Sequence, residues 1–259
     1  MIRIAHLSDL HFGGENAAAL AAAQDYINHG RFDLAVISGD VTRYGSRVEF
    51  AAAAEWLGGL NGAHLVTPGN HDAPYFAVPQ RLFAPFRRFE ARLGPAGEQS
   101  FLAPGLAVRG LNTARGAQPR INWSKGQIAR SQVARALAWF AEVPHDCARV
   151  VVCHHPLAEM IGGPMTARVW RGASAAKAFA HAGVDLVLSG HIHAPFTWPY
   201  PYADGRTYAV GAGTLSVRER GVPAGFNVVE IERAAIRVAA LCWTGSHFEP
   251  YRTWSLDRR

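Results

Sequence analysis

The 259-residue chain is 49% hydrophobic and 18% charged, enough apolar material for a sizeable core, which excludes intrinsic disorder. No apolar run reaches the ~20 residues that span a bilayer, and the opening residues lack an export signal, so a cytoplasmic protein with no membrane partner is expected. The formal net charge of +6 favours an anionic ligand, but the basic residues are dispersed, which argues against a dedicated nucleic-acid binder.

Residues 2–7 form a short Ile- and Leu-containing run that reads as a buried strand and ends in Ser8-Asp9-Leu10-His11. An Ala/Leu-rich helix is expected over 16–28, then a strand over 33–38 that runs into Gly39-Asp40. Ser46 followed three residues later by Glu49 is a capping-box signature and opens a helix over 46–57. The strand over 64–67 leads into Gly69-Asn70-His71-Asp72. Residues 75–97, with three prolines and many aromatics, read as a surface excursion.

A strand over 106–111 precedes Asn112 and Arg115, which read as a solvated loop. A helix over 124–142 follows from the apolar positions Ile128, Val133, Leu137 and Phe140. The strand over 149–153 meets His154-His155, and the Gly-rich stretch 160–171, with Arg168 and Arg171, is expected to shape a substrate pocket. A helix over 173–181 and a strand over 185–189 lead to Gly190-His191-Ile192-His193. Trp198, Tyr200 and Tyr202 are expected to pack. Strands over 207–210, 226–232 and 235–243 then follow without helices between them.

This alternation predicts an α/β domain with a largely parallel sheet and a second, more antiparallel one, as a single domain over 1–259. Cys147, Cys153 and Cys242 have no paired spacing, so neither a disulfide framework nor a thiolate zinc site is expected. Cys153 reads as a small buried residue.

Five strand ends carry Asp, His or Asn. Ligands of parallel sheets bind beyond the carboxyl ends of the strands, so these motifs converge on one edge. Two aspartates, several imidazoles and one amide form a mixed oxygen and nitrogen set that suits Mn, Fe or Zn. Glycines before Asp40, Asn70 and His191 allow sharp turns and close backbone approach.

The blocks D-x-H, G-D, G-N-H, a His near Pro156 and G-H-x-H occur here in that order, from Asp9 to His193. In this the chain resembles the calcineurin-like metallophosphoesterase superfamily. The wording around the blocks, His6-Leu7-Ser8-Asp9-Leu10-His11-Phe12 and Val66-Thr67-Pro68-Gly69-Asn70-His71-Asp72, is similar to its bacterial class III cyclic-nucleotide phosphodiesterases. The resemblance implies a four-layer α/β/β/α sandwich of two mixed β-sheets flanked by helices. It implies two divalent transition-metal ions, one held by Asp9, His11 and His193, the other by Asn70, His154 and His191, with Asp40 shared. His154 rather than His155 is the implied ligand, because the family's ligand stands two residues before the proline. Arg43-Tyr44-Gly45 departs from the Asp-Arg-Gly of the protein Ser/Thr phosphatases, and from the tyrosine spacing of the purple acid phosphatases.

The expected chemistry is hydrolysis of a small-molecule phosphodiester by water activated between two ions, with His71 the catalytic group at the leaving oxygen. Asp72 is expected to hold an imidazole or a turn. Cyclic AMP is the first substrate the resemblance points to. A phosphomonoesterase, nucleotidase, lipid-precursor pyrophosphatase or nuclease on the same fold is the alternative. A non-catalytic binding module is disfavoured by the intact ligand positions, and exposed aromatics suggest self-association.

Overall fold

The computed structural model describes residues 1–159 and 169–259. In chain order the elements are β1 (Ile2–Leu7), α1 (Ala17–His29), β2 (Leu34–Ile37), α2 (Arg47–Gly58), β3 (His64–Val66), α3 (Val78–Phe83), α4 (Arg87–Leu93), β4 (Glu98–Ala103), β5 (Leu106–Leu111) and α5 (Arg130–Glu142). They continue as β6 (Ala148–Val152), α6 (Gly172–His181), β7 (Leu186–Ser189), β8 (Phe196–Pro199), β9 (Tyr208–Gly211), β10 (Gly225–Ile231), β11 (Ala235–Trp243) and β12 (Phe248–Asp257). They build two mixed six-stranded sheets, ordered β12-β11-β10-β1-β2-β3 and β4-β5-β6-β7-β9-β8.

Strand period explains the layers. Ile4, Leu34 and Val36 face Val108, Val150, Val152 and Leu188 in a core between the sheets. Their neighbours Ala5, Leu7 and Ile37 turn outward onto Ala19, Leu20, Phe50 and Leu57 of α1 and α2. Val151 and Val187 pack outward on Phe140 and Phe179 of α5 and α6. Each fully buried Val, Ile or Leu contributes roughly 1.5–3 kcal/mol. The result is the expected α/β/β/α sandwich, in which residues alternate between two different cores.

The division between sheets differs from the first expectation. The parallel strands split, β1-β2-β3 in one sheet and β5-β6-β7-β9 in the other. The late strands β10–β12 extend the first sheet through successive antiparallel pairs, β10 lying beside β1, rather than forming one of their own. The edge strand β12 escaped the sequence reading because its side chains are mostly exposed, and Pro250 sits beside a register shift.

Helix starts follow local chemistry. The Ser46 hydroxyl accepts from the Glu49 amide at 3.2 Å, and the Glu49 carboxylate accepts from the Ser46 amide at 2.9 Å. The helix expected from residue 124 starts only at Arg130. The Gln127 and Ile128 amides donate instead to Thr113 and Trp170 carbonyls, which holds that segment extended. The 75–97 excursion contains α3 and α4, pinned by buried Arg81 and Phe89.

Candidate metal centre

β1, β2, β3, β6 and β7 all deliver their terminal motifs to one edge. Backbone pairing continues past the strands: Asp9 N–H donates to Gly39 at 2.9 Å, His11 N–H to Asp40 at 3.0 Å, and Gly190 N–H to His154 at 2.9 Å. Asp9, His11, Asp40, His191 and His193 have positive φ, between 48° and 70°. Left-handed backbone is uncommon for residues with a Cβ, and it clusters where function over-determines geometry.

The first group is Asp9, His11 and His193. His193 Nδ1 donates to the Arg218 carbonyl at 2.7 Å, which turns its Nε2 to within 3.0 Å of Asp9 Oδ1. His11 Nδ1 faces the Thr42 carbonyl at 3.3 Å, and its Nε2 lies 3.7 Å from Asp9 Oδ1. Asp9 Oδ2 accepts from the His191 amide at 2.9 Å. Burial opposes a charge on Asp9, but the His193 imidazole outweighs it and holds the carboxyl below its usual range. Burial pushes His11 down to about 3, so its Nε2 presents a lone pair.

The second group is Asp40, His154 and His191, with the Asn70-His71 turn beside Asp40. His154 Nδ1 donates to the Ser38 carbonyl at 2.8 Å, leaving Nε2 3.2 Å from Asp40 Oδ2. Asp40 Oδ1 is held by the His71 amide at 2.8 Å. Asp9, Asp40 and His154 bring ligand atoms within 4.8 Å of one another, so the two groups adjoin through the aspartates.

Buried Asn70 Oδ1 and His191 Nε2 have no hydrogen-bond partner, while Asp9 Oδ1 and His154 Nε2 face only other ligand atoms, of His193 and Asp40. Unpartnered buried polar atoms are costly, and buried carboxylates and imidazoles that face one another have the chemistry of metal ligands. The residues therefore fit two divalent ions. His155 lies close enough to His154 and His191 to join them, yet both its ring nitrogens are engaged, Nδ1 with Thr113 Oγ1 at 2.9 Å and Nε2 with the Ser124 carbonyl at 2.9 Å. It braces the His154 loop instead.

Burial disfavours a charged His154, but the Asp40 carboxylate and the Ser38 carbonyl outweigh it and raise the imidazole to about 9. Below that pH a proton sits where a cation would bind, and it must leave on metal uptake. Apparent metal affinity should therefore rise about tenfold per pH unit from neutrality and flatten near pH 9. Calorimetry in buffers of different ionisation enthalpy measures the released proton, and a pH-independent affinity contradicts this.

The glycines serve close packing against the carboxylates. A Cβ on Gly69 would strike Asp40 Oδ1 and its amide, and one on Gly190 would strike Ser8 Oγ and Asp9 Oδ2. Gly69→Ala should cost about 1–3 kcal/mol in a urea titration and displace Asp40, so bound metal falls as well. Asp72 is buried and accepts from the amides of Val41, Thr42 and Gly69 at 2.8–3.2 Å and from the Thr42 hydroxyl at 2.8 Å. It ties the Asp40 loop to the Asn70 loop and holds no imidazole.

His71 is half-buried. Its Nδ1 donates to the Arg43 carbonyl at 2.7 Å, and Arg218 Nη1 lies 3.1 Å from its Nε2. Its ring is set edge-on to His11 at 4.9 Å. A cavity of about 450 Å³ opens beside it, lined by Asn70, His71, Tyr75, Arg81, Trp123 and Ser124 among others. Arg81 is spent on the fold, donating to the Gly116 carbonyl at 2.8 Å and the Ala73 carbonyl at 3.0 Å.

Arg218 is the residue the sequence reading missed. It follows β9, which is parallel to β7 and ends at the same edge, so strand order was the available signal. Asn112 and Arg115 are not a solvated loop. Asn112 is buried and closes a turn on the Ala114 amide at 2.8 Å, while Arg115 donates to the Asn112 carbonyl and to Gln132 Oε1 at 3.1 Å each. Trp198 stacks on Phe196 at 4.4 Å and Tyr200 is buried, so this segment packs as expected. Cys153 is buried, which pushes its thiol up to about 12. Residues 160–168, with Arg168, lie outside the described residues.

The family model for calcineurin-like phosphoesterases matches residues 2–195. No curated protein sequence matches the chain. Among solved structures, a dimetal phosphatase from Danio rerio is similar with a TM-score of 0.72 at 12% identity, covering 100% of this chain and 99% of that one. A purple acid phosphatase from yellow lupin is similar at 0.65 and 12% identity, over 99% of this chain and 54% of that one. The Plasmodium inner-membrane-complex anchor GAP50 is similar at 0.63 and 14% identity, over 100% of this chain and 89% of that one. At these identities the likeness is one of fold.

Proposed function

The chain belongs to the calcineurin-like phosphoesterase family, and from that premise we propose that it hydrolyses small-molecule phosphodiesters, with 3′,5′-cyclic nucleotides the first class to test. The observation that carries the two-metal reading is the buried clustering of ligand atoms from Asp9, His11 and His193 beside those of Asp40, His154 and His191. Asp9, His11 and His193 would hold one ion, Asn70, His154 and His191 the other, and Asp40 would face both. The donor set suits Mn, Fe or Zn. Such ions supply Lewis acidity toward water and toward the phosphoryl oxygens.

The chain's own groups supply orientation and charge. The Arg43 carbonyl aims the His71 ring, and the ring's Nε2, which accepts from Arg218, would take up a proton before meeting the leaving oxygen as an acid. The Arg218 guanidinium beside it adds positive charge where a phosphate oxygen arrives. A diester carries two substituents, and the cavity beside His71, walled by Tyr75 and Trp123, has room for one of them. The diester preference rests on the sequence around Asp9, Asp40 and Asn70 and on this cavity.

Turnover of bis-p-nitrophenyl phosphate should exceed that of p-nitrophenyl phosphate by at least about tenfold in kcat/KM, a difference of roughly 1.4 kcal/mol. A panel of cyclic nucleotides and glycerophosphodiesters on Mn-loaded protein then narrows the class. Preference for the monoester would replace the diester reading while keeping the phosphoesterase.

A further inference from the structure

We propose that the face built by α3, α4 and the loop before them docks on an anionic lipid surface, with the mouth of the metal centre at the contact. Phe76 and Phe83 are 81% and 87% exposed, and Val78 and Leu82 of the same short segment are exposed as well, among the large exposed apolar side chains of the described residues. Four large exposed apolar side chains within eight residues mark a candidate interaction surface. On one flank of α3, Val78, Tyr75 and Ile121 line the cavity that contains Asn70 and His71. On the other flank a groove of about 310 Å³ is lined by Arg47, Arg87, Arg88 and Arg92 with no carboxylate. Among the described residues no ion pair neutralises these four arginines.

Charge complementarity selects the occupant. Apolar side chains that insert, flanked by arginines that meet phosphate headgroups, are the two components of interfacial binding. Across the two-fold axis of a second copy, the arginine groove would meet its own like charge. Nucleic acid would use the arginines but leaves Leu82, Val78 and Phe83 without a role. The sequence reading expected no membrane partner because no segment spans a bilayer. Surface docking needs none, and the inference does not depend on which ester the site hydrolyses.

The test is co-sedimentation of the metal-loaded full chain with vesicles of phosphatidylcholine alone or mixed with phosphatidylglycerol. Binding to the mixed vesicles only is expected, and it should weaken as salt rises. Replacing both phenylalanines (Phe76→Ser, Phe83→Ser) should lower binding by more than tenfold. Reversing two arginines (Arg87→Glu, Arg92→Glu) should do the same, about fivefold for each charge removed and more for its reversal. Both pairs should keep wild-type hydrolysis of the soluble aryl ester, which shows that they fold. The proposal is overturned by absence of vesicle binding, or by loss in the arginine pair with none in the phenylalanine pair. It also fails if wild type dimerises through this face, or binds single-stranded nucleic acid and not vesicles.

Discussion

Asp40→Ala should abolish hydrolysis, lowering kcat/KM by at least about a thousandfold, or roughly 4 kcal/mol of transition-state stabilisation, and should strip both ions from the protein. Asp40 is buried where the two ligand groups adjoin. Its Oδ2 faces His154 at 3.2 Å, and its Oδ1 takes the His71 amide at 2.8 Å. Losing the carboxylate removes negative charge from both groups and also frees the Asn70-His71 turn. Metal analysis of the purified variant, alongside aryl-diester turnover, reads both effects. Retention of one tightly held ion would show that the groups are independent and that Asp40 is not shared. Global stability should fall less than activity, because Asp72 continues to bind the loops through Val41, Thr42 and Gly69.

Much of this site was legible in the sequence because parallel-strand ends have a fixed address. Asp9, Asp40, Asn70, His154 and His191 each follow an apolar run, and strand pairing alone brings such ends to one edge. The ring tethers were not legible. Ser38, Thr42, Arg43 and Arg218 each present a backbone carbonyl to an imidazole, and a carbonyl carries no sequence signature. Arg218 was hidden for another reason: it belongs to a strand end whose sheet was misassigned. The late strands looked alike in pattern, yet β9 joins β7 while β10–β12 extend the sheet of β1. Periodicity says that a strand is buried on both faces but not which neighbour buries it. β4, β8 and β12 lie at or near sheet edges, where exposed side chains blur the alternation that identifies a strand.

His71→Ala separates chemistry from metal binding. The imidazole makes no hydrogen bond to either ligand group and meets His11 only edge-on: its Nδ1 donates to the Arg43 carbonyl, and its Nε2 faces Arg218 at 3.1 Å. The backbone N–H that holds Asp40 survives the substitution. Metal content should therefore stay at the wild-type level while kcat falls by about a hundredfold to ten-thousandfold, the range for losing a positioned proton donor or charge. The loss should depend on the leaving group. A p-nitrophenolate leaves without a proton, so the aryl diester should lose less than an alkyl diester such as a cyclic nucleotide. Equal loss on both would assign His71 to holding phosphate rather than to the leaving oxygen. Arg218→Lys supplies the control, since it keeps a cation but loses the planar donor that reaches Nε2. It should reduce kcat by about tenfold at most and leave the metals in place. The His193 tether runs through the Arg218 carbonyl, which every side chain at that position retains.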